Sequence, residues 1–361
     1  MPFEASFWSV SLWKKCRWVA RTLKVGFLKL LEILGLYRCR TCIIALPALA
    51  TTEAVAVQAV AFHGLVDDII GFRPQRLLQY IFRGMPQLRH YLRLSVRMEL
   101  PEGPVPFIDV NMRRHGFVSA WVLWPRPLVK PPEVQPSWMV VEPQGIETLW
   151  GPLSLGDFEV IQAPVFFLHD KIKWVVISDI DDTIKHSKIQ KSASFSAILQ
   201  GLVRGHYYTY QPVRGMAELY QKLSSQQALI VYLTSTPYFM APFLLKFLRE
   251  KGFPEGPLFM RSLRYGRVTH KWRVVSRVLG NLKGQKCVLI GDSGEQDVAI
   301  YRRALKTAGL TDSIANVFIR HLPGTAVQRR VNEREMYFRD FAELERLLLP
   351  MIHHNGSERR V

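Results

Sequence analysis

The chain has 361 residues, almost half of them apolar, with 48 Lys and Arg against 30 Asp and Glu. That composition excludes a largely disordered chain and allows a sizeable core in two domains. The formal charge of +18 favours polyanionic partners, meaning nucleic acid or an anionic membrane surface.

In chain order, residues 8–36 read as one long helix. Leu12, Cys16, Val19, Leu23, Phe27, Leu30 and Leu34 recur at helical spacing, with Lys14, Lys15, Arg17, Arg21, Lys24 and Lys29 between them. Trp8, Trp13 and Trp18 add amphipathic rings, so residues 1–40 are assigned to a basic amphipathic helix able to lie in a membrane interface. The alternative is a helix packed on the protein with a solvated basic face. The N-terminus lacks the charge-free apolar core and small-residue cleavage site of a signal peptide. The stretch IIALPALATTEAVAVQAVAF (43–62) is the one candidate membrane span, but Pro47, two threonines, Glu53 and Gln58 interrupt it, and its second half suits a strand.

Residues 41–170 read as a β-rich accessory domain, an antiparallel sandwich. LRLSVRME (92–99) alternates cleanly, with Leu92, Leu94, Val96 and Met98 on one face. FVSAWVLW and FEVIQAPVFFL are further strands, while ELPEGPVP and PRPLVKPPEVQP are turns or linkers. Residues 66–91 break the pattern and read as a helical insertion built on Leu77, Leu78, Ile81 and Phe82. Of the four cysteines, Cys39 and Cys42 form a lone C-x-x-C that reads as chance spacing, and Cys287 behaves as a small hydrophobe in a strand. A reducing compartment fits this usage.

From 171 to 350 the texture becomes α/β. The strands WVVIS, ALIVYL, PLFMR, CVLIG and NVFI alternate with amphipathic helices, which predicts a five-stranded parallel sheet of Rossmann-like form and a closing helix over Phe338–Leu349. Residues 351–361 read as a disordered tail. In such sheets ligands bind beyond the carboxyl ends of the strands, and polar residues collect there. The first strand runs into Asp179, Asp181 and Asp182. Crowded carboxylates call for a cation or a shared proton, and a hard divalent cation is the simplest remedy. A capped turn is the structural alternative. The second strand ends in Thr234 and Ser235, whose hydroxyls suit a phosphoryl oxygen. Lys271 opens a helix, where the macrodipole disfavours a cation unless an anion is held nearby. The fourth strand ends in Gly291 and Asp292, with Asp297 just after.

D-x-D-x-T at 179–183, a hydroxyl at 234, Lys271 and G-D-S-G-x-x-D at 291–297 resemble, in order, the motifs of the haloacid dehalogenase superfamily of phosphotransferases. VISDIDDTIKHS, GMAELYQKL, GFPEGPL and LIGDSGEQDVAIY resemble more narrowly the actin-patch type of Mg²⁺-dependent phosphatidate phosphatase, over roughly 165–322. That family has a serine-rich SSSPW-type segment where this chain has LTSTPY, which leaves Thr234 or Ser235 open as the phosphate binder. The resemblance implies Asp179 as nucleophile, Asp181 as acid and base, and Thr234 or Ser235 with Lys271 on the phosphoryl group. It implies Mg²⁺ on Asp179, Asp292 and the carbonyl of Asp181, with Thr183 orienting the loop and Asp297 anchoring Lys271 or a metal-bound water. Asp182 is left without chemistry. The segment 184–212 is too short for a large lid, so the implied substrate is bulky or membrane-held, phosphatidate first. A phosphorylated protein or nucleic-acid end is the runner-up, and a non-catalytic membrane adaptor is the alternative outside enzymes. The expected location is cytoplasmic, peripheral at the membrane surface.

Overall fold

The computed structural model describes residues 40–63, 92–100, 103–104, 108–111, 117–125, 127–128, 137–148, 151–153, 157–186, 210–262, 265–294, 296–325 and 329–354. The helix expected over 8–36, the insertion over 66–91, residues 187–209 of the short lid segment, Cys39 of the C-x-x-C and the tail past His354 lie outside these residues.

Eleven strands precede the α/β region: β1 Arg40–Ala45, β2 Ala48–Ala50, β3 Ala54–His63, β4 Leu92–Leu100, β5 Gly103–Pro104, β6 Ile108–Asn111, β7 Phe117–Leu123, β8 Ser137–Thr148, β9 Gly151–Leu153, β10 Asp157–Ile161 and β11 Ala163–Phe167. They form one sheet with main path β10-β1-β3-β2-β11-β8-β4-β5. The candidate membrane span of 43–62 is therefore strand. Among the described residues no helix is long and apolar enough to cross a membrane.

The expectation of an antiparallel domain needs correction. Most neighbours are antiparallel, but β1 pairs β10, and β2 pairs β11, in parallel. The register explains why. Ile44 faces Ile161 and Ala48 faces Val165, so β1–β2 and β10–β11 keep one offset across their breaks. Pro47, which has no N–H to give the ladder, interrupts the first pair of segments, and Gln162 the second. FEVIQAPVFFL is thus two strands rather than one, and Gly103–Pro104 of the supposed turn pairs with β4. One face of the sheet shares a core of Ile43, Val55, Val57, Leu94, Val96, Met139, Val141 and Val165.

The α/β region has six strands, β12 Trp174–Asp179, β13 Ala228–Pro237, β14 Leu258–Arg261, β15 Lys286–Asp292, β16 Ile314–Arg320 and β17 Glu335–Phe338. Its helices are α1 Met216–Ser225, α2 Ala241–Glu250, α3 Arg267–Gly280, α4 Asp297–Lys306 and α5 Phe341–His354. All neighbours are parallel, in the order β14-β13-β12-β15-β16-β17. Every residue of β12 is buried, as a strand covered on both faces requires. The chain winds outward from β12 to β14, returns to β15 and winds outward again. The order reverses between β12 and β15, and their carboxyl ends, Asp179 and Asp292, flank the crevice where such sheets bind ligands. Strand β17 was not expected, and it takes Phe338 from the closing helix. That helix runs on to His354, into the stretch read as tail.

The two sheets are packed together. Cys42, Ile44, Leu46, Val60 and Phe117 join the same core as Val176, Tyr232 and Phe247, and Phe117 stacks on Tyr238 at 4.5 Å. Strand β14 lies at the edge of the parallel sheet, where unpaired backbone groups need partners. The accessory sheet supplies two of them: Leu258 N donates to Pro47 O at 2.9 Å, and Met260 N to Gln58 Oε1 at 3.1 Å.

Candidate active site

The turn after β12 sets the site. Asp182 adopts φ +59°, a left-handed conformation that Asp tolerates better than most side chains. The carbonyl of Ile180 accepts the N–H groups of Ile184 and Lys185, and Asp182 N donates to Lys185 O at 2.7 Å. This winding returns Lys185 to the side of Asp181.

Two clusters result. In the first, Asp179, Lys271, Asp292 and Asp297 are fully or almost fully buried. Lys271 Nζ lies 2.7 Å from Asp179 Oδ1 and 2.5 Å from Asp297 Oδ1. Thr183 Oγ1 donates to Asp179 Oδ2 at 3.2 Å. Lys271 stands in the second turn of α3 rather than at its start, so its two carboxylate partners, not the helix end, compensate its burial. Gly291 makes room for the group: a Cβ there would come within 2.6 Å of Asp297 Oδ2 and 2.8 Å of the Tyr301 ring.

In the second cluster Asp181 is partly buried. Its Oδ1 pairs with Lys185 Nζ at 2.6 Å, and its Oδ2 accepts Thr234 Oγ1 at 2.6 Å and Thr236 Oγ1 at 2.7 Å. Lys185 is buried and lies 4.0 Å from the centre of the Tyr210 ring. Burial opposes ionisation of Asp181, but the Lys185 charge and the bonds from Lys185, Thr234 and Thr236 outweigh it and hold the carboxyl well below its ordinary value. Arg320 caps the turn from β16, donating to Asp182 O at 2.8 Å.

The structure thus gathers Asp179, Thr183, Lys271, Asp292 and Asp297 in one place, and Asp181 with Thr234 beside it. Strand alternation sends the side chain of Ser235 the other way, buried and without a hydrogen bond from its hydroxyl to any described group. Sequence reasoning missed Lys185 and Thr236. Thr236 was open to discovery by the same alternation, two residues beyond Thr234. Lys185 depended on the turn.

The carboxylate oxygens of Asp179, Asp292 and Asp297 can approach within 4.8 Å of one another. Asp297, expected to anchor Lys271 or a metal-bound water, belongs to this triad as well. Among the described residues around the turn, five aspartates (179, 181, 182, 292 and 297) face three cations (Lys185, Lys271 and Arg320), an excess of two carboxylates. Hard oxygen donors with that excess fit a divalent cation such as Mg²⁺.

Comparison with known proteins agrees with this geometry. Residues 174–321 match the family model described as phosphatidate phosphatase APP1, catalytic domain. The match begins at β12, ends one residue past β16 and contains both clusters. An uncharacterized protein of Schizosaccharomyces pombe is 26% identical over 156 residues, which cover 40% of this chain and 24% of that protein. The chain thus spans about a quarter of that relative's length. Among solved structures, a HAD family hydrolase from Deinococcus radiodurans, crystallised with phosphate and sodium, is similar over 51% of this chain and 98% of its own, at 13% identity and TM-score 0.32. A chain of the Pnkp1/Rnl/Hen1 complex is similar over 38% of this chain and 45% of its own, at 16% identity and TM-score 0.30.

Proposed function

We propose that the protein is a Mg²⁺-dependent phosphatidate phosphatase, releasing diacylglycerol and phosphate through an aspartyl-phosphate. The observation that carries this reading is the division of labour at the end of β12, inside a segment matching the APP1 catalytic domain. One carboxylate sits beside a buried lysine and two further carboxylates, and the next is held by two hydroxyls and a second lysine.

Asp179 is the nucleophile. An Oδ attacks phosphorus, the bond to the glyceryl oxygen breaks, and Asp181 gives that oxygen a proton. Water then attacks phosphorus and gives its proton to Asp181, and the bond to Asp179 breaks to release phosphate. Lys271 and Thr234 hold phosphoryl oxygens as charge develops, Thr183 fixes the Asp179 carboxylate, and Asp297 fixes Lys271. Mg²⁺, held by Asp179 and Asp292 with Asp297 beside them, would neutralise charge on the phosphoryl group.

Asp181 is ionised in the free protein, whereas the first step needs it protonated. Thr234 has one hydroxyl proton, so donating it to a phosphoryl oxygen withdraws it from Asp181. The incoming negative charge acts in the same direction. Substrate binding itself thereby raises the proton affinity of Asp181.

Phosphatidate as substrate and a peripheral position on a cytoplasmic membrane surface rest on the family description, the +18 charge and the basic N-terminal segment. The test compares Mg²⁺-dependent phosphate release from phosphatidate in mixed micelles and from 5′- or 3′-phosphorylated oligonucleotides. Turnover of phosphatidate is expected; turnover of the oligonucleotides alone would replace the lipid reading with the nucleic-acid one.

A further inference from the structure

A cleft of about 600 Å³ lies between the two sheets and along α3, with neither Lys271 nor any catalytic aspartate in its wall. Among the described residues its charged lining groups are Arg273 and Arg277, and none of them is a carboxylate. These two arginines stand four residues apart on one face of α3, where like charges repel. Each guanidinium lies over a ring that helps to fix its direction, Arg273 over Tyr265 at 4.6 Å and Arg277 over Trp121 at 5.9 Å. Trp121 belongs to β7, so the accessory sheet builds one wall.

His270 lines the same cleft from the same helix face, one turn before Arg273. It is only 5% exposed, and its Nε2 makes no hydrogen bond to any described group. Burial, with Lys271 and Arg261 nearby, pushes its pKa down to about 3, so the ring is neutral, and it hydrogen-bonds the backbone of Phe259 and Thr234. Ser119 and Ser276 add hydroxyls to the wall.

We propose that this cleft binds a phosphate monoester anion, as a lipid headgroup or a soluble ester, at a site separate from the catalytic centre. Two guanidinium forks match the paired oxygens of a phosphate, and the Ser119 hydroxyl, which accepts from Gln58 Nε2, keeps its own proton for the third. The volume is that of a small-molecule site. The inference goes beyond the proposed activity and does not depend on it, since Arg273, Arg277 and His270 take no part in the reaction described above.

The experiment titrates the full chain with glycerol 3-phosphate by calorimetry, in wild type and in the Arg273→Ala/Arg277→Ala double variant. A site at least about tenfold weaker in the variant is expected, while Mg²⁺-dependent turnover of p-nitrophenyl phosphate stays within about twofold of wild type. Should the alanine variant not fold, Arg273→Lys/Arg277→Lys keeps the charge but loses the forks and is expected to bind measurably more weakly. A parallel arm sediments the proteins with phosphatidylcholine vesicles with and without phosphatidate. Weakening of the phosphatidate-dependent binding identifies a lipid headgroup; weakening for glycerol 3-phosphate alone identifies a soluble ester. Unchanged affinity for both ligands, or loss of binding and turnover together, overturns the proposal.

Discussion

Asp179 and Asp181 stand two residues apart at the end of one strand and occupy opposite environments. Asp179 is sealed in, with a buried lysine and two more carboxylates around it. Asp181 reaches the opening and is held by groups that a phosphoryl oxygen can displace, above all the Thr234 hydroxyl. The difference teaches that proximity in sequence does not set a carboxylate's chemistry. Fixed partners suit a nucleophile that must keep one geometry, and exchangeable partners suit a group that must gain and lose a proton.

The strongest way to break this comparison is to neutralise its buried member. Asp179→Asn is expected to lower kcat by at least about 10⁴-fold, with the fold intact by circular dichroism. Asp181→Asn should cost about 10²- to 10⁴-fold, the usual contribution of a positioned acid and base. The loss should be smaller for p-nitrophenyl phosphate, whose leaving group needs no proton, than for phosphatidate; equal losses on both substrates would remove Asp181 from the acid role.

Thr236→Val sharpens the comparison further. Thr236 donates to the same oxygen as Thr234 but is not assigned to phosphate. Losing that bond is expected to lower kcat about tenfold, the low end of the worth of one hydrogen bond to a charged group, with KM unchanged. A rise in KM alone would place Thr236 on the substrate.

Much of this was legible beforehand. The α/β region and the positions of Asp179, Asp181, Asp292 and Asp297 at or just after its strand ends followed from polar residues ending apolar runs, and Lys271 from a cation early in a helix. Thr236 was legible through strand alternation but was passed over. Lys185 was not, because its approach to Asp181 depends on the left-handed residue at 182. Strand β17 escaped because it is four residues long and its buried Glu335 reads as solvent-facing; in the fold Arg302 pairs with it at 2.7 Å. The parallel pairing of β1 with β10 joins residues more than a hundred positions apart, which no local pattern encodes.

The smallest effect concerns stability. His270, with its pKa pushed down to about 3, is neutral in the fold and takes a proton on unfolding below about pH 6.5. The unfolded chain binds more protons in that range, so stability falls as pH drops from about 6.5 toward 3, by up to about 1.4 kcal/mol per unit from this group. His270→Phe is expected to flatten that slope in denaturant titrations at several pH values, and an unchanged slope would exclude His270 as its source.

The central claim is that Asp179 carries the phosphoryl group between the two half-reactions. Its most direct test is a rapid acid quench of wild-type protein turning over phosphatidate labelled in the phosphate with Mg²⁺ present, followed by mapping of the labelled peptide. The account predicts hydroxylamine-sensitive label on the peptide containing Asp179, and none in Asp179→Asn. Turnover at the wild-type rate by Asp179→Asn, or label on another residue, would contradict it.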